Sequence, residues 1–245
     1  MKRMLTILMA LGLVGIVAAP AADVPASDKL QFARDQEHKG DLARARTDNL
    51  EAVYYYRIAL KAGGPSSNLY NKLGVAELQT GDHSSARKHI AQAVKLDPRN
   101  VTALNNLGVV SCLDRKYNLA IRYLKQALAL EETNATAHLN MAEAWFGLGE
   151  VDRAMTEYAR ALELDADILT NTPGGVVTRI STPEQRARVD FTIAKAYAKR
   201  GNLDGALEYL RRAKEDHYPQ MASVYSDQTF AALWNDPRLQ KIVKR

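Results

Sequence analysis

The sequence predicts an all-α protein built from stacked helix hairpins, and three observations predict it. A 34-residue period of small and large apolar residues runs through the middle of the chain. Composition favours helices, with aromatics only 7% of 245 residues while Ala, Leu, Glu, Lys and Arg are abundant; these side chains lose little rotamer freedom in a helix. Glycine and proline turn signals recur where the apolar period breaks.

Residues 1–21 read as a secretory signal peptide. Lys2 and Arg3 form a basic end, residues 4–19 carry no charge, and Ala19-Pro20-Ala21 fits a small-residue cleavage site, with a mature start at Ala22. The apolar run is shorter than the roughly 20 residues that span a bilayer comfortably. A membrane association follows only if this segment stays uncleaved. With Cys112 as the sole cysteine, no intramolecular disulfide can form, so stability must come from helix packing.

Three contiguous repeats occupy residues 67–168, starting at Ser67, Val101 and Ala135. Leu73, Leu107 and Met141 share one column, followed at once by Gly74, Gly108 and Ala142. Ala86, Ala120 and Ala154 share another, then Ile90, Leu124 and Tyr158, then Ala93, Ala127 and Ala161. The spacings put apolar groups on facing stripes of two helices, and the small residues let the helices approach. Gly81-Asp82 and Gly149-Glu150 end one helix and start the next.

Before residue 67 the pattern weakens, and residues 22–66 read as a degenerate repeat or helical cap. Ala52, Tyr56 and Ala59 match a second helix. For the first helix two registers stand open. In one, Lys39-Gly40 occupies the place of the Leu-small pair; in the other, Phe32-Ala33 is that pair and Gly40-Asp41 is the turn. Residues 169–186 read as a loop insertion around Pro173-Gly174-Gly175, with a short extended piece at 176–180 and a helix start at Thr182-Pro183. A fourth repeat, 187–220, carries Ile193-Ala194, Gly201, Ala206, Leu210 and Ala213. Residues 221–245, with Phe230, Leu233 and Trp234, form a terminal cap.

This pattern resembles the tetratricopeptide-repeat (TPR) family in spacing and in residue size at most signature positions. It departs at Arg115, where the turn glycine is missing, and at Glu132 and Ala166, where only the first matched repeat has its proline, Pro98. The resemblance implies a right-handed superhelical stack of about four to five repeats, with a concave face lined by first helices. Transferred by position, the peptide-binding groove consists of Asn71, Lys72 and Val75, then Asn105, Asn106 and Val109, then Leu139, Asn140, Glu143 and Phe146. Asn106 and Asn140 share a column, and an amide with both donor and acceptor can pair with any peptide backbone. The family's clamp for a C-terminal carboxylate is not matched, because Asn71, Val75, Thr136 and Asn140 replace the side chains it needs.

Chemistry other than binding finds little support in the sequence. The five histidines, His38, His83, His89, His138 and His217, lack partners at metal-ligand spacing. His138 falls on a core-type position. Cys112 has no Cys-His-Asn arrangement around it, and Pro173-Gly174-Gly175 lacks the glycine spacing and the following Lys of a phosphate-binding loop. Asn100 and Asn134 satisfy the glycosylation pattern but stand where helix caps are expected. The net charge of +5 drops to +3 without Lys2 and Arg3, and the charge reads as scattered, with no basic stripe of the kind a nucleic-acid binder shows. The expectation is a protein without catalytic residues, metal, cofactor, nucleic-acid partner or small-molecule substrate. It is an exported scaffold or adaptor, periplasmic or secreted, that binds a protein or peptide; the alternative is a periplasmic chaperone or assembly factor for exported clients.

Overall fold

The computed structural model describes residues 25–165, 167–168 and 182–244. Its helices form consecutive antiparallel pairs: α1 (Ala26–Ala45) with α2 (Asn49–Gly63), α3 (Ser67–Gln79) with α4 (His83–Leu96), and α5 (Val101–Leu113) with α6 (Tyr117–Leu130). Then come α7 (Ala135–Gly147) with α8 (Val151–Leu164), and α9 (Pro183–Lys199) with α10 (Leu203–Glu215). Each pair packs on the next, and α3 touches α5 as α5 touches α7. The first helices therefore line up along one side of a superhelical stack. The leader segment and most of the loop insertion, including the expected extended piece at 176–180, lie outside the described residues.

The repeat columns become the core. Ala52, Ala86, Ala120, Ala154 and Ala206 are all fully buried, as are Tyr56, Ile90, Leu124, Tyr158 and Leu210. Small side chains on one helix leave room for the large ones facing them, as close packing of an interior requires. At Gly108 a Cβ would stand 2.6 Å from Leu124 Cγ, so the close approach excludes any larger residue. The buried residues fall into several clusters strung along the stack, as expected when each hairpin contacts only its neighbours.

The first hairpin obeys the same rule, and this settles its register. Gly40 lies inside α1 opposite Tyr56, where a Cβ would sit 2.5 Å from Tyr56 Cε1. It is the small residue of its repeat, 34 positions before Gly74. The reading of Gly40-Asp41 as a turn is therefore corrected. The turn falls at Thr47, with φ 62, in the column of Gly81 (φ 84), Arg115 (φ 58) and Gly149 (φ 79). A left-handed residue is needed at each of these turns, and two of them lack the glycine that adopts it without steric cost.

Side-chain caps fix most helix starts. Asp48, Ser66, Asp82, Asn100, Asn134, Thr182 and Asn202 each accept a hydrogen bond from a backbone N–H three residues on. Asn100 and Asn134 thus use their side-chain oxygens inside the fold. The C-terminal end is closed by two 3₁₀ turns, Met221–Tyr225 and Gln228–Leu233, and by α11 (Pro237–Ile242). These bury Val224, Phe230, Leu233, Leu239 and Val243 against Phe191, Ala194, Leu207 and Leu210. Trp234 Nε1 donates to the Val224 carbonyl at 2.8 Å, and the Tyr225 hydroxyl donates to the Val243 carbonyl at 2.9 Å, so the polar atoms of this apolar cap are satisfied.

Candidate protein-binding groove

The ten groove residues lie on α3, α5 and α7, each helix contributing an adjacent pair followed by residues three or four positions on, so that they share one side of the helix. Their environments differ. Asn71 and Asn105 are buried, at 7% and 8% exposure, while Lys72, Val75, Asn106, Val109, Asn140, Glu143 and Phe146 are half-buried. Leu139 is set apart, being 2% exposed and packed with Ala142, Tyr158, Ala161 and Val189 in the core. It supports the groove from beneath and offers it no surface. Phe146 packs against the same cluster by part of its ring.

The polar members form a ladder between repeats. Asn106 Nδ2 donates to Asn71 Oδ1 at 2.9 Å, and Asn140 Nδ2 donates to Asn105 Oδ1 at 2.9 Å. One repeat earlier Lys72 takes the same role, donating from Nζ to Glu37 Oε1 and to Asp41 Oδ2, both at 2.8 Å. In each step the sixth residue of one repeat reaches the fifth residue of the repeat before it. Burial lowers the affinity of the Lys72 ammonium for its proton, but the Glu37 and Asp41 carboxylates outweigh burial and hold its pKa above the ordinary lysine value. Glu37 and Asp41 escaped the sequence reading. Their signal was the 34-residue offset from Asn71 and Val75.

The ladder changes what the asparagines can do. Each of Asn106 and Asn140 uses one amide hydrogen on its neighbour and keeps a second, together with a carbonyl oxygen with two lone pairs. The neighbour fixes the amide orientation, so the remaining donor and acceptor are held in place before any partner arrives. Val75 and Val109 stand at the same position of successive repeats beside the ladder. The groove is therefore an uncharged strip of alternating amide and aliphatic groups, bounded by the Lys72–Glu37–Asp41 cluster at one end and Glu143 at the other.

Outside the groove, polar groups that sequence alone could have assigned to chemistry are committed to packing. His138 Nδ1 lies 2.6 Å from Glu157 Oε2 and its Nε2 lies 3.0 Å from the Glu132 carbonyl oxygen. His89 Nδ1 lies 2.6 Å from Glu77 Oε2, whose other oxygen accepts from Arg57 at 2.8 Å. Cys112 is buried among Ala120, Ile121, Leu124 and Met141. Among the described residues no group of three or more His, Cys, Asp or Glu could hold a metal ion.

Hairpins that stack side by side and align their first helices into a groove define a solenoid scaffold for protein–protein interaction. Tetratricopeptide-repeat family models match residues 38–101 and 71–111, 113–169 and 189–220. The chain belongs to the tetratricopeptide-repeat family. Among solved structures it is similar to a MamA protein, with 22% identity over 81% of this chain and 96% of that one and a TM-score of 0.53. It is also similar to MamA from Desulfovibrio magneticus RS-1, residues 41 to the end, with 18% identity over 80% and 99% of the two chains and a TM-score of 0.55. At these identities the likeness is one of fold. No curated protein matches the chain in sequence.

Proposed function

We propose that this chain is an exported, non-catalytic adaptor of the cell envelope or the secreted space that holds an extended peptide or helix of a partner protein in its concave groove. The observation that carries the reading is the ladder Asn71–Asn106 and Asn105–Asn140, with Val75 and Val109 beside it. Pre-oriented amides suit backbone groups of any sequence, and the aliphatic residues suit alternate side chains of a bound segment. Each amide contact contributes about 0.5–1.5 kcal/mol net, so affinity accumulates over several repeats.

The test is capture of partners from an envelope extract by the full chain and by Val75→Glu/Val109→Glu. These positions line the groove and take no part in the ladder, and unchanged circular dichroism and urea unfolding are required of the variant before its binding is compared. A partner held by the wild type and lost by the variant supports the groove; equal recovery by both overturns it. Export rests on Lys2, Arg3, the uncharged run 4–19 and the site Ala19-Pro20-Ala21. N-terminal sequencing of protein recovered from cells is expected to begin at Ala22, and a retained Met1 overturns cleavage.

A further inference from the structure

The outward face of the second helices carries a feature that the concave groove does not explain. Comparison of repeat columns isolates it. At one outward column the later repeats have Ser84, Asn118, Asp152 and Asp204, whereas the first has Leu50; at the next they have Lys88, Arg122, Thr156 and Glu208, whereas the first has Tyr54. At a third, Gln92, Gln126, Arg160 and Arg212 correspond to Ile58. Leu50 is 75% exposed and Tyr54 is 62% exposed. Four repeats show that this face is normally polar, so the apolar ridge of α2 is a departure confined to one hairpin.

The same face is cationic over the first three hairpins. Lys88 and Arg122 share the column of Tyr54, Lys125 shares the column of Arg57, and Lys95 shares the column of Lys61. Lys61, Lys88, Lys95, Arg122 and Lys125 are all exposed, and among the described residues none of the five has an ion-pair partner. Arg57 differs, being held by the buried Glu77. The only carboxylate within α2, α4 and α6 is Glu51, which pairs with the exposed Arg46. On α8 and α10 the outward face turns mixed, with Asp152, Glu163, Asp204 and Glu208.

The geometry points to a peripheral membrane-binding surface: the outward face of α2, α4 and α6 docks on an anionic lipid bilayer, with Leu50, Tyr54 and Ile58 entering the headgroup boundary. Apolar side chains that protrude beside lysines and arginines are the pattern of interfacial anchoring. Point charges spread singly over three helices match a continuous field of lipid phosphates, with no forked arrangement that selects one anion. An acidic protein partner would need to offer a cavity for Leu50 and Tyr54, which stand out from the surface. This surface lies opposite the concave groove and does not depend on it.

The test is co-sedimentation of the full chain with vesicles of phosphatidylcholine alone and of phosphatidylcholine with phosphatidylglycerol. The apolar segment 4–19 contributes to both, so the readout is the increment due to phosphatidylglycerol. That increment is expected to fall about tenfold between about 50 and about 300 mM NaCl. It is expected to vanish in Lys88→Glu/Arg122→Glu/Lys125→Glu, and to weaken several-fold in Leu50→Ser/Tyr54→Ser, with unchanged circular dichroism in both. Val75→Glu/Val109→Glu is expected to bind vesicles like wild type. Equal binding to both vesicle types, or an increment that survives the charge-reversal variant, overturns the inference. So does salt-sensitive binding to polyglutamate or to duplex DNA without any phosphatidylglycerol increment, which would give the face to an acidic protein or a nucleic acid.

Discussion

Asn106 in α5 donates its side-chain amide to the carbonyl oxygen of Asn71 in α3 across 2.9 Å, and Asn140 repeats the bond to Asn105 one hairpin later. The acceptors are buried and the donors half-exposed. The bond therefore joins the interior of one repeat to the groove surface of the next, coupling groove order to repeat stacking.

Removing the donor should cost stability as well as binding. Asn106→Ala leaves Asn71 Oδ1 without its partner in a buried site, and a loss of about 1 kcal/mol is expected. Urea unfolding of Asn71→Ala, Asn106→Ala and the double variant should give a coupling of about 0.5–1.5 kcal/mol. A coupling of zero would mean that the amides do not bond across the repeats. Because the ladder is structural, partner loss in an Asn106 variant alone cannot be assigned to peptide contact, and the valines are the cleaner probes.

How far the sequence reveals this arrangement depends on the spacing of the contact. Ala86, Ala120 and Ala154 pack against equivalent neighbours in every hairpin, so columns aligned at 34 residues expose the core directly. Asn106 and Asn140 appear in one column for the same reason. Their acceptors lie 35 residues earlier, in an adjacent column, so alignment at 34 separates the partners. The register of α1 was ambiguous because Lys39 occupies the usual leucine position, and only the contact of Gly40 with Tyr56 decides it. The cationic outward face is hidden likewise, since its charges are spread one repeat apart and form no run.

The helix contact at Gly108 should tolerate no enlargement. A Cβ there meets Leu124 Cγ at 2.6 Å, and Leu124 is itself fully buried with no space to retreat. Gly108→Leu is expected to lower stability by about 1–3 kcal/mol through overpacking. Thermal or urea unfolding checks this, and a variant as stable as wild type would show that α5 and α6 can separate without loss.

The turn at Arg115 offers a stabilising change. Its φ of 58 is the left-handed conformation that Gly81 and Gly149 adopt in neighbouring repeats. An L residue there costs about 1–2 kcal/mol relative to ordinary helix geometry, and glycine relieves most of it against a larger entropy loss on folding. Arg115→Gly is expected to raise stability by about 0.5–1 kcal/mol, and Gly81→Ala to lower it by about 1 kcal/mol. Opposite signs in urea unfolding would show that the arginine side chain outweighs backbone strain.

Asp190 sets a pH dependence of known sign. It stands in α9 at the repeat position that holds the buried Leu104 in α5, and it is 7% exposed. Burial pushes its pKa up to about 6; Arg212, at 3.8 Å, and Arg186 pull it down, while Asp216 and Glu208 push it up. Arg186 is already bound to Asp216 through two hydrogen bonds, at 3.0 and 3.2 Å, and compensates Asp190 little. The folded state therefore keeps a proton that the unfolded chain, with the ordinary value of 3.8, releases. Where the folded state binds more protons, stability falls as pH rises. The Asp190 contribution is thus most favourable below about pH 4, declines between about pH 4 and pH 6, and is a fixed penalty above. Asp190→Asn removes the charge but keeps the shape, so it should stabilise the protein by about 3 kcal/mol at neutral pH and by much less at about pH 4. Urea unfolding of both proteins at the two pH values checks this. A variant less stable than wild type at neutral pH would mean that the attraction of Arg212 exceeds the cost of burying the carboxylate.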